Sequence, residues 1–120
     1  MALLDDGPLG DTARELLARD TDWAAPAHLL TEVMSVVRGH VLGSTLSVTR
    51  ASDAIAALTA IVVALDDCQA LLDRIWELRH NLTSYDAAYV SLAERLGVPL
   101  VTADARLINA SGVTCRIIAP

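Results

Sequence analysis

Apolar residues recur along the chain at two spacings, and the spacing separates predicted helices from predicted strands. Positions three and four residues apart indicate helices, whereas short β-branched runs indicate buried strands. The predicted helices cover residues 8–19, 26–42, 47–60, 67–80, 84–96 and a short stretch after Asp104. The predicted strands cover residues 23–25, 61–65, 98–102 and 116–118. Short apolar strands that alternate with helices predict an α/β fold, with a short parallel sheet flanked by helices.

Several residues mark the ends of these elements. Pro26 is tolerated in the first turn of a helix, where its missing N–H has no partner to lose. Thr83 or Ser84 is suited to cap the helix that follows it, and Gly97 is suited to end that helix. Pro99 falls near the start of a strand, where the loss of a donor matters least.

Length and composition predict one globular domain over residues 1–120, since 53% of the residues are hydrophobic and 20% are charged. The two cysteines, Cys68 and Cys115, lie far apart and outside any metal-ligand spacing, which predicts small reduced thiols in the core. No apolar run reaches the roughly 18 residues of a membrane span. The first six residues are acidic where a signal peptide would be basic and then apolar, so we expect a cytoplasmic protein.

The charge balance is unfavourable for direct binding of nucleic acid. The formal net charge is −6, and all nine basic residues are arginine. Affinity for phosphate groups depends on clustered cations, so a chain of this charge repels a polyanion on average. If the substrate is a polyanion, a divalent metal ion has to lie between the carboxylates of the protein and the phosphate.

Three acidic residues occupy positions that the pattern directs inward. Glu32 shares a side of its predicted helix with Leu29 and Val36. Asp86 shares a side with Val90, whereas Ser91 falls roughly opposite, where solvent is expected. A third acid, Asp104, follows the strand over residues 98–102, at the end where open α/β sheets build their sites.

Each acid has a structural explanation of its own. Asp86 suits the first turn of a helix, Asp104 suits an N-cap, and Glu32 suits a pair with a buried arginine. Together they are better explained by a shared cation, because an uncompensated buried carboxylate is strongly unfavourable. Oxygen ligands that leave positions for water and phosphate suit Mg²⁺ or Mn²⁺.

Three segments carry a resemblance to a known family. Residues 30–33 (LTEV), 82–89 (LTSYDAAY) and 99–107 (PLVTADARL) resemble the acidic motifs of PIN domains, and most closely those of the VapC-type ribonuclease toxins of toxin–antitoxin pairs. The resemblance implies a three-layer PIN-like fold, an endoribonuclease that needs Mg²⁺ or Mn²⁺, and a homodimer inhibited by a cognate antitoxin. By position it makes Glu32, Asp86 and Asp104 the catalytic, metal-binding carboxylates, with Thr102 in support.

One feature of the family is missing from this sequence. PIN domains begin with an apolar central strand that ends in the first metal-site aspartate, whereas residues 1–6 resemble the tail of the helix after that strand. We expect either that the true start lies upstream or that the chain is a shortened member. Two functions follow: a metal-dependent endoribonuclease, or a catalytically impaired PIN domain that dimerises or binds antitoxin. An unrelated α/β domain with coincidental acids is a third alternative.

The remaining polar residues suggest no other chemistry. His28, His40 and His80 are scattered, with no acidic or cysteine partner at the spacing of metal ligands. Arg74 and Arg79 are positioned to pair with acids on their own helix, although contact with RNA or a second subunit is the alternative. No motif for acyl transfer or for a phosphate-binding loop is present.

Overall fold

The computed structural model describes residues 23–60, 62–102 and 104–118. Contacts within the chain divide it into two compact units, Met1–Ala64 and Leu65–Pro120. The helix predicted over residues 8–19 lies outside the described residues. The prediction of one domain over residues 1–120 stays a prediction.

The elements alternate as the sequence predicts for an α/β fold. In chain order they are β1 (Trp23–Pro26), α1 (Leu29–Leu42), α2 (Val48–Ala60), β2 (Val63–Asp66), a 3₁₀ turn (Gln69–Leu71), α3 (Leu72–Glu77), α4 (Ser84–Leu96), β3 (Leu100–Val101), α5 (Ala105–Ile108) and β4 (Ile117–Ile118). Strands β1 and β2 form one two-stranded sheet, and β3 and β4 form another. The predicted parallel pairing is confirmed for β3 and β4, where Leu100 faces Ile117 and Val101 faces Ile118.

Two predicted elements differ from the structure. Pro26 ends β1 instead of opening the next helix, which begins at Leu29, so its missing N–H falls at a strand terminus. The helix predicted over residues 67–80 is shorter and irregular: it starts as the 3₁₀ turn and ends at Glu77. Cys68, just before that turn, adopts a left-handed backbone with φ of 67°, which a continuous helix does not permit.

In the described part of the first unit, α1 packs against α2. Val33 and Val37 of α1 are buried with Ala51 of α2, and apolar side chains around them complete the cluster. The small side chain of Ala51 lets the two helices approach closely. No helix among the described residues has both the length and the apolar character needed to span a membrane.

The second unit is built around α4. Its core cluster consists of residues from α4, from the segment between α3 and α4, from β3 and from α5: Leu78, Leu82, Ala87, Val90, Ala93, Leu100 and Leu107. Helix α4 ends at Gly97, whose φ of 65° is the left-handed conformation that glycine adopts without strain. Both predicted ends of α4 are confirmed, since Thr83 is its N-cap.

A partly buried ion pair joins three segments of this unit. The Arg74 guanidinium of α3 donates to both carboxylate oxygens of Glu94 in α4, with Nε–Oε2 and Nη2–Oε1 distances of 3.1 Å. Arg74 Nη2 also donates to the carbonyl oxygen of Gly112 at 2.6 Å, and the Thr114 hydroxyl donates to Glu94 Oε2 at 2.8 Å. The segment that leads into β4 is thereby fastened to α3 and α4. Glu94 raises the pKa of Arg74, so the guanidinium stays charged.

Loss of the Glu94 charge should destabilise the protein. The Glu94 side chain is only 14% exposed, whereas Glu77, which also accepts from Arg74 at 3.1 Å, is 63% exposed. We expect Glu94→Gln to lower the free energy of unfolding by about 1–2 kcal/mol, since hydrogen bonds to charged groups contribute most where water is excluded. Urea unfolding followed by circular dichroism measures the difference.

Glu77→Gln is the matched control, because it removes the same charge from the same arginine at an exposed position. Its expected effect is about 0.5 kcal/mol or less. Equal losses for the two variants would show that burial of the Arg74–Glu94 pair makes no special contribution.

Candidate functional site

Asp86 lies in the first turn of α4. Thr83 is the extended N-cap residue, and its hydroxyl oxygen accepts the Asp86 backbone N–H at 3.2 Å. A carboxylate in this turn is favoured by the positive end of the helix dipole. Asp86 is half-buried, whereas the sequence pattern directs it inward.

The prediction that Ser91 faces solvent is wrong. Ser91 is almost fully buried, together with its neighbours on several sides of α4: Ala87, Ala88, Val90, Leu92 and Ala93. A helix surrounded on more than one side has no single solvent-facing stripe. A helical wheel alone therefore misplaced Ser91 while placing Val90 correctly.

Asp104 directly follows β3 and is held by hydrogen bonds on both sides. Its backbone N–H donates to the Thr102 hydroxyl oxygen at 3.1 Å. Its carboxylate oxygen Oδ1 accepts the Arg106 backbone N–H at 2.9 Å, so Asp104 is the N-cap of α5. The structural explanation that the sequence offered for Asp104 is therefore correct, and it fixes the direction of the carboxylate. The Thr102 hydroxyl contacts the Asp104 backbone, and its supporting role at a metal site stays a prediction.

Arg106 forms a two-pronged ion pair with Asp104. Its Nη2 donates to Oδ2 at 2.7 Å and its Nε donates to Oδ1 at 3.2 Å. These bonds hold the pKa of Asp104 below its ordinary value. The pKa of the guanidinium is raised, chiefly by its bonds to Asp104 and also by the charge of Asp86. One cationic group is thus under the influence of both carboxylates.

This arrangement fits a divalent cation. Asp86 and Asp104 supply carboxylate oxygens, the ligand type that Mg²⁺ and Mn²⁺ prefer. Asp104 already binds one cationic group, the Arg106 guanidinium, and the charge of Asp86 also raises the pKa of that group. In the described ranges, no three acidic, histidine or cysteine side chains are grouped closely enough to form a metal site by themselves.

Glu32 belongs to the first unit and lies in the first turn of α1. Its Oε1 is 3.0 Å from Nε2 of His28, four residues earlier, and the Glu32 side chain is 43% exposed. Two sequence-based expectations are corrected here. Glu32 is less buried than its helical position indicated, because Val33 and Val37 carry the buried stripe, and its partner is a histidine instead of a buried arginine.

His28 was missed from the sequence, although the signal was present. Residues four apart lie one above the other on a helix, and that spacing separates His28 from Glu32. The expectation that the three histidines have no acidic partner is therefore wrong for His28.

Other candidates have structural roles in the described residues. The predicted pairing of Arg74 with Glu77 is confirmed, but Arg79 lies over the Trp76 ring at 4.5 Å from its centroid instead of pairing with an acid. Cys68 and Cys115 are free thiols and only half-buried, so they are less central than predicted. Burial raises the pKa of Cys115, which keeps the thiol protonated and unreactive near neutral pH.

Comparison with known proteins places these motifs in a family. The PIN-domain family model matches residues 1–113. Ribonuclease VapC1 of Mycobacterium tuberculosis is 42% identical over 97 residues, covering 78% of this chain and 71% of the relative. VapC ribonuclease Mb0985 of Mycobacterium bovis is 36% identical over 116 residues, covering 97% of this chain and 87% of the relative. Ribonuclease VapC12 of M. tuberculosis is 34% identical over 93 residues, covering 78% and 72%.

The Asp104–Arg106 pair should contribute a small stability that depends on pH. A carboxyl whose pKa is depressed in the folded state stabilises the protein above its unfolded-state pKa and loses that contribution as the pH falls through the folded value. The ordinary value is 3.8, and the folded value lies below it. The gap in unfolding free energy between the wild type and Asp104→Asn should narrow as the pH falls from about 6 to about 2.

Urea unfolding at a series of pH values measures this gap. In an Arg106→Ala background, the same Asp104→Asn substitution should give a gap with a weaker but not abolished dependence on pH, because alanine keeps the backbone N–H that donates to Asp104. A gap that depends equally on pH in both backgrounds would show that the Arg106 side chain does not lower the pKa of Asp104.

Proposed function

Because this chain belongs to the PIN-domain family, and within it to the VapC ribonucleases, we propose that it is an endoribonuclease toxin that hydrolyses RNA phosphodiester bonds. The observation that carries the proposal is the match to the PIN-domain model over residues 1–113, together with VapC ribonucleases at 36–42% identity. The ion pair of Asp104 with Arg106 supports it, because it shows this carboxylate binding a cationic group. Carboxylates that bind cations suit a phosphoryl-transfer site, where acidic side chains and phosphate share a divalent cation.

Asp86 and Asp104 are the proposed metal ligands, and Glu32 is the third by its motif. A bound Mg²⁺ or Mn²⁺ supplies an activated water at neutral pH and neutralises charge on the phosphate. Two threonines of the chain hold the backbone at the proposed ligands. Thr83 holds the backbone at Asp86, and Thr102 holds the backbone at Asp104. The Arg106 guanidinium holds the pKa of Asp104 below its ordinary value, so the carboxylate is anionic at neutral pH, and a metal ion would compete with Arg106 for it.

The same proposal accounts for the acidity of the chain. With a formal net charge of −6, the protein repels RNA unless its acidic groups are neutralised locally. Carboxylates that bind a divalent cation turn a repulsive region into one that attracts phosphate. The net negative charge of the chain is therefore consistent with a nuclease that binds RNA through a divalent cation.

The proposed partners follow from the family. The substrate is RNA, and the inhibitor is a cognate antitoxin protein. We further propose that the chain forms a single PIN domain, that it assembles as a homodimer, and that it acts in the cytoplasm. The described residues leave apolar side chains exposed that such partners can cover, including Met34, Leu42 and Trp76.

Removal of either carboxylate should abolish cleavage without unfolding the protein. We expect Asp86→Asn and Asp104→Asn to lower the rate of RNA cleavage by about 100-fold or more, because each replaces an anionic metal ligand by a neutral amide. Glu32→Gln should have an effect in the same direction. A fluorescent single-stranded RNA with added Mg²⁺ or Mn²⁺ reports cleavage, and thermal unfolding reports folding.

Asp73→Asn is the matched control, since Asp73 is an exposed aspartate of α3 and its loss changes the net charge equally. It should cleave at the rate of the wild type. Full cleavage by Asp86→Asn or Asp104→Asn would contradict the assigned site. Cleavage by the wild type in excess EDTA would contradict the metal.

A further inference from the structure

Arg106 differs from Arg74 and Arg79, two other arginines of the second unit, in the group that it binds. Arg74 is fastened to Glu94, Glu77 and the Gly112 carbonyl, which makes it part of the framework. Arg79 lies over Trp76 and donates to its carbonyl oxygen. Arg106, in contrast, is bound to Asp104, a carboxylate that the proposed function assigns to a cation.

The bond between Arg106 and Asp104 is well formed but exposed. The Arg106 side chain is 75% exposed and the Asp104 side chain 31%. Exposed ion pairs contribute little to stability, because water and salt compete for both partners. A divalent cation carries twice the charge of a guanidinium, so its arrival favours exchange of the partner of Asp104.

Exchange would leave Asp104 correctly placed. The backbone N–H of Arg106 donates to Oδ1 independently of the guanidinium, at 2.9 Å, and Thr102 holds the backbone of Asp104. The carboxylate therefore keeps its direction when the side chain of Arg106 departs. The guanidinium, on a long exposed side chain two residues away, stays near the site.

We propose that Arg106 is a phosphate-binding residue of the nuclease site that serves as the counter-ion of Asp104 until a divalent cation replaces it. The released guanidinium then binds the phosphate group of the RNA. A planar fork of donors matches two phosphate oxygens, as it matches the two oxygens of Asp104 here. This inference rests on the proposed function and adds a residue that contacts the substrate.

The proposal predicts opposite effects of one substitution on two ligands. Without Arg106 the metal has no internal competitor, so Arg106→Ala should bind Mn²⁺ more tightly, by about threefold to tenfold. The same variant has one cation fewer for phosphate and should bind RNA more weakly, by about tenfold. If Arg106 had only a structural role, its replacement would weaken both Mn²⁺ and RNA binding or change neither.

Two titrations on the full chain test this. Calorimetry with MnCl₂ and no RNA gives the metal affinity. Fluorescence anisotropy with a labelled single-stranded RNA, with Ca²⁺ in place of Mg²⁺ to slow hydrolysis, gives the RNA affinity. Arg95→Ala, an exposed arginine near the end of α4, is the control for the change in net charge and should leave both affinities within about twofold of the wild type.

Arg106→Lys supplies a second variant that keeps the charge and loses the fork. Its Mn²⁺ affinity should stay near that of the wild type, whereas its RNA affinity should fall part of the way. Tighter Mn²⁺ and weaker RNA binding in Arg106→Ala support the proposal. Unchanged or weaker Mn²⁺ binding in that variant overturns the counter-ion role, and RNA binding equal to that of Arg95→Ala overturns the phosphate role.

Failure of the proposed function would look different. In that case the wild type itself would neither bind Mn²⁺ nor cleave RNA, and this inference would fall with it. If the wild type cleaves RNA and Arg106→Ala shows neither predicted shift, the nuclease assignment stands and only the role of Arg106 is wrong.

Discussion

The ion pair between Arg74 and Glu94 is the constraint on which the second unit depends. It joins α3 to α4, and through Gly112 and Thr114 it also fastens the segment that leads into β4. Strand β4 pairs with β3, and β3 leads directly to Asp104. The other end of α4 carries Asp86. A pair of charges that contacts neither acid thus fastens together the elements that carry Asp86 and precede Asp104.

The two arginine–carboxylate pairs of this unit differ in what surrounds them. Glu94 is mostly shielded from water, and it accepts from both Arg74 and Thr114, so its charge is satisfied permanently. Asp104 is more exposed than Glu94. Its partner Arg106 has a pKa that is raised by the charge of Asp86 as well as by Asp104. Shielding and multiple partners make the first pair structural, whereas exposure and a second nearby carboxylate make the other exchangeable. The same chemical pair therefore serves the framework in one place and the proposed site in another.

Much of this fold was predictable where a local signal marks an element end. Thr83 and Gly97 define α4 to the residue, and Asp104 caps α5 as its sequence position indicates. The candidate acids came from position within or beside predicted elements: Asp104 follows a strand, whereas Glu32 and Asp86 were singled out by their helix face. The prediction failed where local signals compete: Pro26 suits a helix start and a strand end equally well, and only the surrounding structure selects one.

The remaining features depend on contacts that no spacing reveals. Arg74 and Glu94 are twenty residues apart, and nothing in either helix indicates which acid Arg74 selects. Burial of Ser91 likewise depends on what covers α4 and not on its own periodicity. The bond from Arg106 to Asp104 joins residues two apart and is easy to expect from the sequence. The influence of Asp86 on Arg106 is not, because Asp86 lies in α4 and β3 separates that helix from Arg106 in the chain.

The central claim is that Asp86 and Asp104 share one divalent cation. A crystal structure of the protein grown or soaked with MnCl₂ tests it directly, because the anomalous signal of manganese locates the ion without assumptions about the protein. The account predicts a peak at about 2.1–2.3 Å from carboxylate oxygens of both residues, with the Arg106 guanidinium displaced from Asp104. A peak bound elsewhere, or Asp104 still paired with Arg106 at saturating manganese, would contradict it.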